Sequence, residues 1–167
     1  MAPKVAERFD PHLTLRELVS WNAVRKGIAT SRIHPAKIVL AADTLVAIEG
    51  KILGKPRDRS EAFKMLRQLN GRVHEVCSAV FLCHLTAAKS LSFCELSHVH
   101  FRRLSESAIR RYLDKVNPLD KAGGYAAQES INEIITKIDG SFTNVVGLPM
   151  EKTIAALAEF GIKPKTG

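Results

Sequence analysis

The sequence predicts a domain that combines α-helices with β-strands, and three patterns support this. Apolar residues recur at helical spacing in residues 15–29. An apolar run, typical of a buried strand, follows from Lys37 to Ala42. Residues 73–85 and 90–104 are partly alternating and rich in β-branched and aromatic side chains, with a turn at residues 86–89, so they predict an antiparallel pair. At 167 residues, one domain spanning residues 1–167 is expected.

The first two predicted helices have recognisable ends. Thr14 is a plausible N-cap, and Glu17 stands three residues later at the capping-box position, so a helix is predicted over residues 15–29. Asp58 begins a second helix. The pair Asn70-Gly71 ends it, because glycine readily takes the left-handed backbone conformation that follows many helices.

The C-terminal half predicts three further elements. Ser105 caps a helix over about residues 106–116, and residues 134–138 predict a short strand. Pro149 suits the first turn of a last helix, which Gly161 ends.

One carboxylate, Asp43, follows the apolar run directly. Burying a carboxylate costs several kcal/mol unless it is paired or binds a metal, so Asp43 needs a cation. Residues 47–53 predict a hairpin that turns at Glu49-Gly50 and brings Lys55 back towards Asp43. These residues alone fit a structural ion pair as well as a catalytic site. Lys26 lies near the C-terminal end of the first helix, where the helix dipole favours a cation, and from the residues alone that role is preferred.

The composition favours a small anionic ligand. The net charge is +8 and the isoelectric point is near 9.6, which favours an anionic partner. The aromatic residues do not interleave with basic ones as a base-stacking surface requires, so a phosphorylated small molecule is preferred to a nucleic acid. The chain has no apolar run of about 18 residues, so no membrane span is predicted.

The cysteines and two histidines predict neither disulfides nor a metal site. Cys77, Cys83 and Cys94 are an odd set without C-x-x-C spacing, which indicates reduced thiols and a cytoplasmic protein. His98 and His100 share a strand face, but no third ligand stands at a recognisable spacing, so a surface pair is preferred.

Four short stretches occur in a fixed order: Ala42-Asp43-Thr44-Leu45-Val46, Gly54-Lys55-Pro56, Asp120-Lys121-Ala122-Gly123-Gly124-Tyr125 and Val146-Gly147-Leu148-Pro149. Together they resemble the Maf family of nucleoside triphosphate pyrophosphatases, and the segment Asn70-Gly71-Arg72-Val73-His74 is similar to that family's L-x-G-x-x-H. The resemblance implies an α/β fold similar to inosine triphosphate pyrophosphatases, with a mixed twisted sheet, flanking helices and two lobes around a cleft. It also implies cytoplasmic hydrolysis of a nucleotide to the monophosphate and pyrophosphate with a divalent metal, Mg²⁺ or Mn²⁺.

The resemblance also implies catalytic roles. Asp43 matches the catalytic aspartate, the proposed base for the attacking water. Lys26, Lys55 and Lys121 match lysines that hold phosphates. Glu7 aligns with an acidic residue and is expected to bind the metal together with Asp43.

Two other positions match residues linked to base choice, Thr44 and Gln128. A glutamine at the second position is similar to the branch that acts on dTTP and UTP. These nucleotides are therefore the expected substrates. The alternative is a noncatalytic nucleotide-binding or regulatory protein of the same fold.

The N-terminus departs from the family pattern. The family begins with a strand and a phosphate loop reading S-x-S-P-R-R, whereas this chain starts just before Glu7. The loop's serine and arginine contacts are not in the sequence. We therefore expect weak activity or none. We also expect an uncovered sheet edge to cause self-association, of which a homodimer is one form.

Overall fold

The computed structural model describes residues 5–6, 9–128 and 131–164. Within them helices and strands follow one another along the chain, with a 3₁₀ turn at Ala122–Gly124 between α3 and α4. The elements are α1 Leu15–Ile33, β1 Ile38–Ile48, β2 Lys51–Leu53, α2 Arg59–Leu69, β3 Val73–His84, β4 Lys89–Phe101, α3 Glu106–Lys115, α4 Ile131–Ile134, β5 Ile135–Asp139, α5 Phe142–Val146 and α6 Met150–Glu159. None of the described helices is long and apolar enough to cross a membrane.

The described strands form one five-stranded sheet in the order β2-β1-β3-β4-β5. Helices flank this sheet, so the expected α/β class is confirmed. The expectation of a mixed sheet is wrong for the described strands, because every pairing among them is antiparallel. Short hairpins join β1 to β2 and β3 to β4, whereas parallel neighbours would need long crossover connections.

The predicted helix ends are largely confirmed. Thr14 and Glu17 form the reciprocal capping box of α1. This helix continues to Ile33, four residues beyond the predicted end at residue 29. The Thr30 hydroxyl bonds back to the Lys26 carbonyl, and the helix stops only before Pro35, since a residue preceding proline disfavours helical backbone.

Strand β1 is longer than predicted, which changes the position of Asp43. The apolar run suggested a strand that ends before Asp43, but β1 runs from Ile38 through to Ile48. The predicted turn at Glu49-Gly50 is confirmed, with φ of 50° and 74° at the two residues. Asp43 therefore lies in the middle of a strand, where its side chain projects from one face of the sheet.

Two short helices near the C-terminus were not predicted, α4 and α5. Ser141 caps α5 by accepting from the Asn144 amide, and Gly147 ends it with φ of 118°. The last helix, α6, begins at Met150, so Pro149 is its N-cap rather than its first helical residue.

The sheet divides the core. One cluster fills the space between α1 and one face, where Leu18, Phe81 and Cys77 pack. A larger cluster joins α2 and α3 to the opposite face through Val46 and Val76. Strand β1 contributes side chains to both clusters, Leu45 to the one under α1 and Val46 to the one under α2 and α3.

Candidate active site

A cavity of about 400 Å³ opens beside the middle of β1. Strand β2 pairs with β1 only at Val46, Ala47 and Ile48, and no other described strand covers the outer edge of residues 38–45. The lining of the cavity includes every predicted site residue that the structure describes: Lys26, Asp43, Thr44, Lys55, Lys121 and Gln128. Glu7, the remaining predicted residue, lies outside the described residues.

Asp43 and Lys26 form an ion pair at the cavity. Asp43 is 5% exposed, and its Oδ1 accepts from Lys26 Nζ. In β1 Asp43 lies opposite Ala79, on the face that α1 covers, so the helix carries Lys26 directly to it. The cation that Asp43 was predicted to need is thus supplied by α1, and Lys55 lines the same cavity.

Thr44 points to the other side of β1, because successive strand residues face opposite ways. Its Oγ1 lies 2.8 Å from Ser78 Oγ and 3.4 Å from the Gly147 carbonyl. The Ser78 amide donates to Asn144 Oδ1 at 3.0 Å, and the Ser78 hydroxyl donates to the Asn144 carbonyl at 2.8 Å. Thr44 is therefore held by a buried polar network that also fixes the wall at residues 145–147.

Asn144 is the centre of that network and is fully buried. Its Nδ2 donates to the Val76 carbonyl at 3.0 Å and to Ser97 Oγ at 2.8 Å. These bonds tie α5 to β3 and β4. Neither Ser78 nor Asn144 was predicted as a site residue, although a polar side chain inside an apolar strand such as β3 is the signal that could have indicated Ser78.

Lys121 and Asp120 form a second charged group on the cavity wall. Lys121 Nζ lies 2.9 Å from Asp120 Oδ2, and this hydrogen bond, helped by the nearby Lys55 charge, holds the pKa of the Asp120 carboxyl below its usual range. The Gly123 amide donates to the Gly54 carbonyl at 3.0 Å, which joins this loop to the segment carrying Lys55. The site residues from two distant motifs are thereby brought together.

The glycine at position 123 is required by its surroundings. Its φ is 71°, and a Cβ there would lie 3.2 Å from Val46 Cγ1. A side chain would therefore strain the backbone and press against β1. The next residues are anchored by Tyr125, whose hydroxyl lies 2.8 Å from His74 Nε2 in the core beneath the cavity.

Gln128 is exposed at the end of the described loop and lines the cavity with its neighbour Ala127. Its position is compatible with contact to a ligand in the cavity. Its predicted role in base choice stays a prediction.

The donor set suits a hard divalent cation that arrives with a ligand. Asp43 and Asp120 place carboxylates on the cavity wall, and carboxylate oxygens are ligands that Mg²⁺ and Mn²⁺ accept. Among the described residues, no three His, Cys, Asp or Glu side chains are grouped closely enough to hold an ion alone. Mg²⁺ commonly binds through one or two carboxylates together with substrate phosphates, so this set fits a metal–nucleotide complex.

Comparison with known proteins places the chain in a family. The family described as Maf-like protein matches residues 1–160. A dTTP/UTP pyrophosphatase of Bacillus velezensis is 42% identical over 163 residues, which cover 98% of this chain and 85% of that protein. Proteins of the same name from Carboxydothermus hydrogenoformans and Akkermansia muciniphila are 40% and 44% identical, over 95% and 89% of this chain and 90% and 77% of their own lengths. The family that the motifs resembled is thus confirmed: the chain belongs to the Maf-like proteins.

Proposed function

We propose that this protein hydrolyses nucleoside triphosphates, dTTP and UTP foremost, to the monophosphate and pyrophosphate. The observation that carries the proposal is the cavity itself, which gathers a buried carboxylate and three lysines that lie far apart in the sequence: Asp43, Lys26, Lys55 and Lys121. The names of the relatives support the same activity and the same substrates.

The lysines supply the positive charge that a triphosphate needs. A nucleoside triphosphate carries about four negative charges near neutral pH, and cleavage to pyrophosphate builds further charge on the leaving group. Lys55 and Lys121 stand on adjoining loops joined through Gly123 and Gly54, so both can contact one phosphate chain. The overall charge of +8 favours entry of an anionic substrate.

Asp43 is the group proposed to orient the attacking water and accept its proton. The neighbouring Lys26 ammonium stabilises the charged carboxylate and restricts its orientation. Because Asp43 is held in β1, where it pairs with Ala79 of β3, its position is set before substrate binds.

A divalent cation, Mg²⁺ or Mn²⁺, is proposed as the cofactor. Asp43 would hold it together with substrate phosphates, and Glu7 stays a predicted ligand. When bound, such an ion supplies electrostatic stabilisation of charge on the phosphates.

We attribute the substrate preference to the uncharged part of the cavity wall. Thr44 and Gln128 offer polar atoms, while Val76, Val145 and Ala127 offer apolar surface suited to a flat base. We also propose a cytoplasmic location, which is supported by the odd number and the spacing of the three cysteines in the sequence.

The proposal is tested by pyrophosphate release from a panel of nucleoside triphosphates, each assayed with Mg²⁺, with Mn²⁺ and with a chelator. Wild-type protein should release pyrophosphate fastest from dTTP and UTP, and chelation should abolish release. Asp43→Asn should lower kcat by about 10² to 10⁴ with little change in nucleotide binding, since a base acts in the chemical step. Lys55→Ala should weaken both binding and turnover.

Asp114→Asn is the matched control, because Asp114 is exposed and outside the cavity. It should behave as wild type. Nucleotide binding without pyrophosphate release by the wild-type protein would instead identify a noncatalytic nucleotide-binding protein. Loss of folding in Asp43→Asn, with normal activity per folded molecule, would show that the Asp43–Lys26 pair is only structural.

A further inference from the structure

The Thr44 hydroxyl donates its hydrogen to another group of the protein. Thr44 Oγ1 and Ser78 Oγ lie 2.8 Å apart, and each oxygen carries one hydrogen. The Ser78 hydroxyl donates to the Asn144 carbonyl at 2.8 Å, and a carbonyl can only accept. Ser78 Oγ is then left as an acceptor towards Thr44.

The second contact of Thr44 leads to the same result. Among the described residues, the other oxygen within reach of Thr44 Oγ1 is the Gly147 carbonyl at 3.4 Å, which is again an acceptor. Whether the Thr44 hydrogen points to Ser78 or to Gly147, it does not point into the cavity. Thr44 therefore presents a lone pair to a ligand in the cavity and acts as a hydrogen-bond acceptor.

We call the two hydrogen bonds, from the Thr44 hydroxyl to Ser78 and from the Ser78 hydroxyl to the Asn144 carbonyl, the relay. Burial stabilises the direction of this relay. Ser78 and Asn144 are both fully buried, so no solvent can replace a bond that the Ser78 hydroxyl gives up. Reversing the relay would remove the bond from Ser78 to the Asn144 carbonyl inside the core, where an unmade hydrogen bond is unfavourable. Thr44 itself is only partly buried and lines the cavity, so its free lone pair is accessible.

We propose that Ser78 is a specificity-determining positioning residue that makes Thr44 an acceptor for the imide N–H of a uracil or thymine base. This inference rests on the proposed function, since it places the base against Thr44. Uracil and thymine share an N3–H donor, whereas N3 of cytosine carries a lone pair. The relay therefore favours UTP and dTTP and disfavours CTP, because two acceptors would face one another.

The surroundings of Thr44 suit this occupant. Ala42, Val76 and Val145 line the cavity with small apolar groups, which contact a flat base without offering other hydrogen bonds from their side chains. Thr44 is the polar side chain beside these three apolar residues, so its hydrogen-bonding direction contributes, together with Gln128, to which base edge is accepted.

The test compares kcat/KM for UTP and CTP in wild type, Ser78→Ala, Thr44→Val and Ser97→Ala. Ser78→Ala removes the acceptor at 2.8 Å and leaves only the long contact of 3.4 Å to the Gly147 carbonyl, so the Thr44 hydroxyl can turn and donate to cytosine N3. The UTP-to-CTP ratio should fall about tenfold, which corresponds to about 1.4 kcal/mol. Thr44→Val removes the acceptor oxygen and should lower the UTP-to-CTP ratio of kcat/KM by a similar factor. Ser97→Ala is the matched control, because Ser97 contacts Asn144 but not Thr44. It should leave the ratio unchanged.

Equal losses for UTP and CTP in Ser78→Ala would overturn the proposal, because a purely structural role lowers both substrates alike. Circular dichroism checks the fold of each variant. If Ser78→Ala does not fold, the test uses Thr44→Val. A lower UTP-to-CTP ratio in this variant supports the role of Thr44 as an acceptor, and an unchanged ratio overturns the proposal. Absence of nucleotide hydrolysis by the wild-type protein would refute the proposed function itself and this inference with it, an outcome distinct from an unchanged ratio in an active enzyme.

Discussion

Acidification from pH 7 to pH 5 should destabilise this protein through a single buried histidine, His74. The side chain is 2% exposed and stands edge-on to the rings of Phe101 and Tyr125, with centroids 4.7 and 5.5 Å away. Its Nε2 is bonded to the Tyr125 hydroxyl, while Nδ1 is buried without a hydrogen-bond partner among the described residues. Burial, with a smaller contribution from His100, lowers the pKa of His74 from 6.5 to about 4.

The direction and size of the effect follow from proton linkage. Between pH 6.5 and about 4 the unfolded chain binds a proton at His74 that the native protein excludes. The free energy of unfolding is therefore unaffected by this group above pH 6.5 and decreases as the pH falls towards 4. Each pKa unit corresponds to about 1.4 kcal/mol, so the loss between pH 7 and pH 5 is about 2 kcal/mol.

Urea unfolding at both pH values measures this loss directly. The comparison uses wild type, His74→Phe, which keeps a ring in the core but cannot titrate, and His12→Gln, which removes an exposed histidine. His74→Phe should be less stable at pH 7, since the buried Tyr125 hydroxyl loses its partner at a cost of about 1–3 kcal/mol. Its loss from pH 7 to pH 5 should nevertheless be smaller than that of wild type by about 2 kcal/mol. His12→Gln keeps His74 and should lose as much stability on acidification as wild type. The reasoning is refuted if His74→Phe also loses as much stability as wild type.

Two further predictions concern packing and specificity. Gly27→Ala should lower the melting temperature, because the added Cβ would lie 2.3 Å from Phe81 Cδ1. Such overpacking costs about 1–3 kcal/mol, more than the roughly 1 kcal/mol that alanine gains over glycine in a helix. Gly54→Ala is the control, because no atom of a non-neighbouring residue lies within 4 Å of the new Cβ, and it should lower the melting temperature far less. Gln128→Glu removes a donor and adds charge, so turnover of dTTP and UTP should fall relative to other nucleotides, and an unchanged ranking across a panel would count against contact between Gln128 and the base.

Local patterns were sufficient to predict most secondary structure. The capping box of Thr14 and Glu17 and the turn at Glu49-Gly50 depend on residues a few positions apart, so the sequence shows both partners. Short α5 was missed because its five residues contain no helical repeat. The family resemblance implied a mixed sheet, whereas all pairings among the described strands are antiparallel. Strand direction depends on which strands pair, and no local pattern shows that.

The sequence also indicated which residues belong to the candidate site, but not how they are arranged. The ordered motifs pointed to Asp43, Lys55 and Lys121, and all of them line one cavity. The sequence offered Lys26 only as a helix-end cation or by resemblance, and the structure shows that it pairs with Asp43.

What the sequence by itself determined is therefore the family, most of the element types and the candidate residues that the structure then places around one cavity. The tertiary structure alone decided which groups touch: α1 lies against the face of β1 that carries Asp43, and α5 lies against the face that carries Thr44. The bonds between Ser78 and Asn144 join residues 66 positions apart. Such contacts exist only after the chain has packed, because hydrogen-bond direction and ion pairing depend on distances of a few ångströms between segments that no local sequence pattern relates.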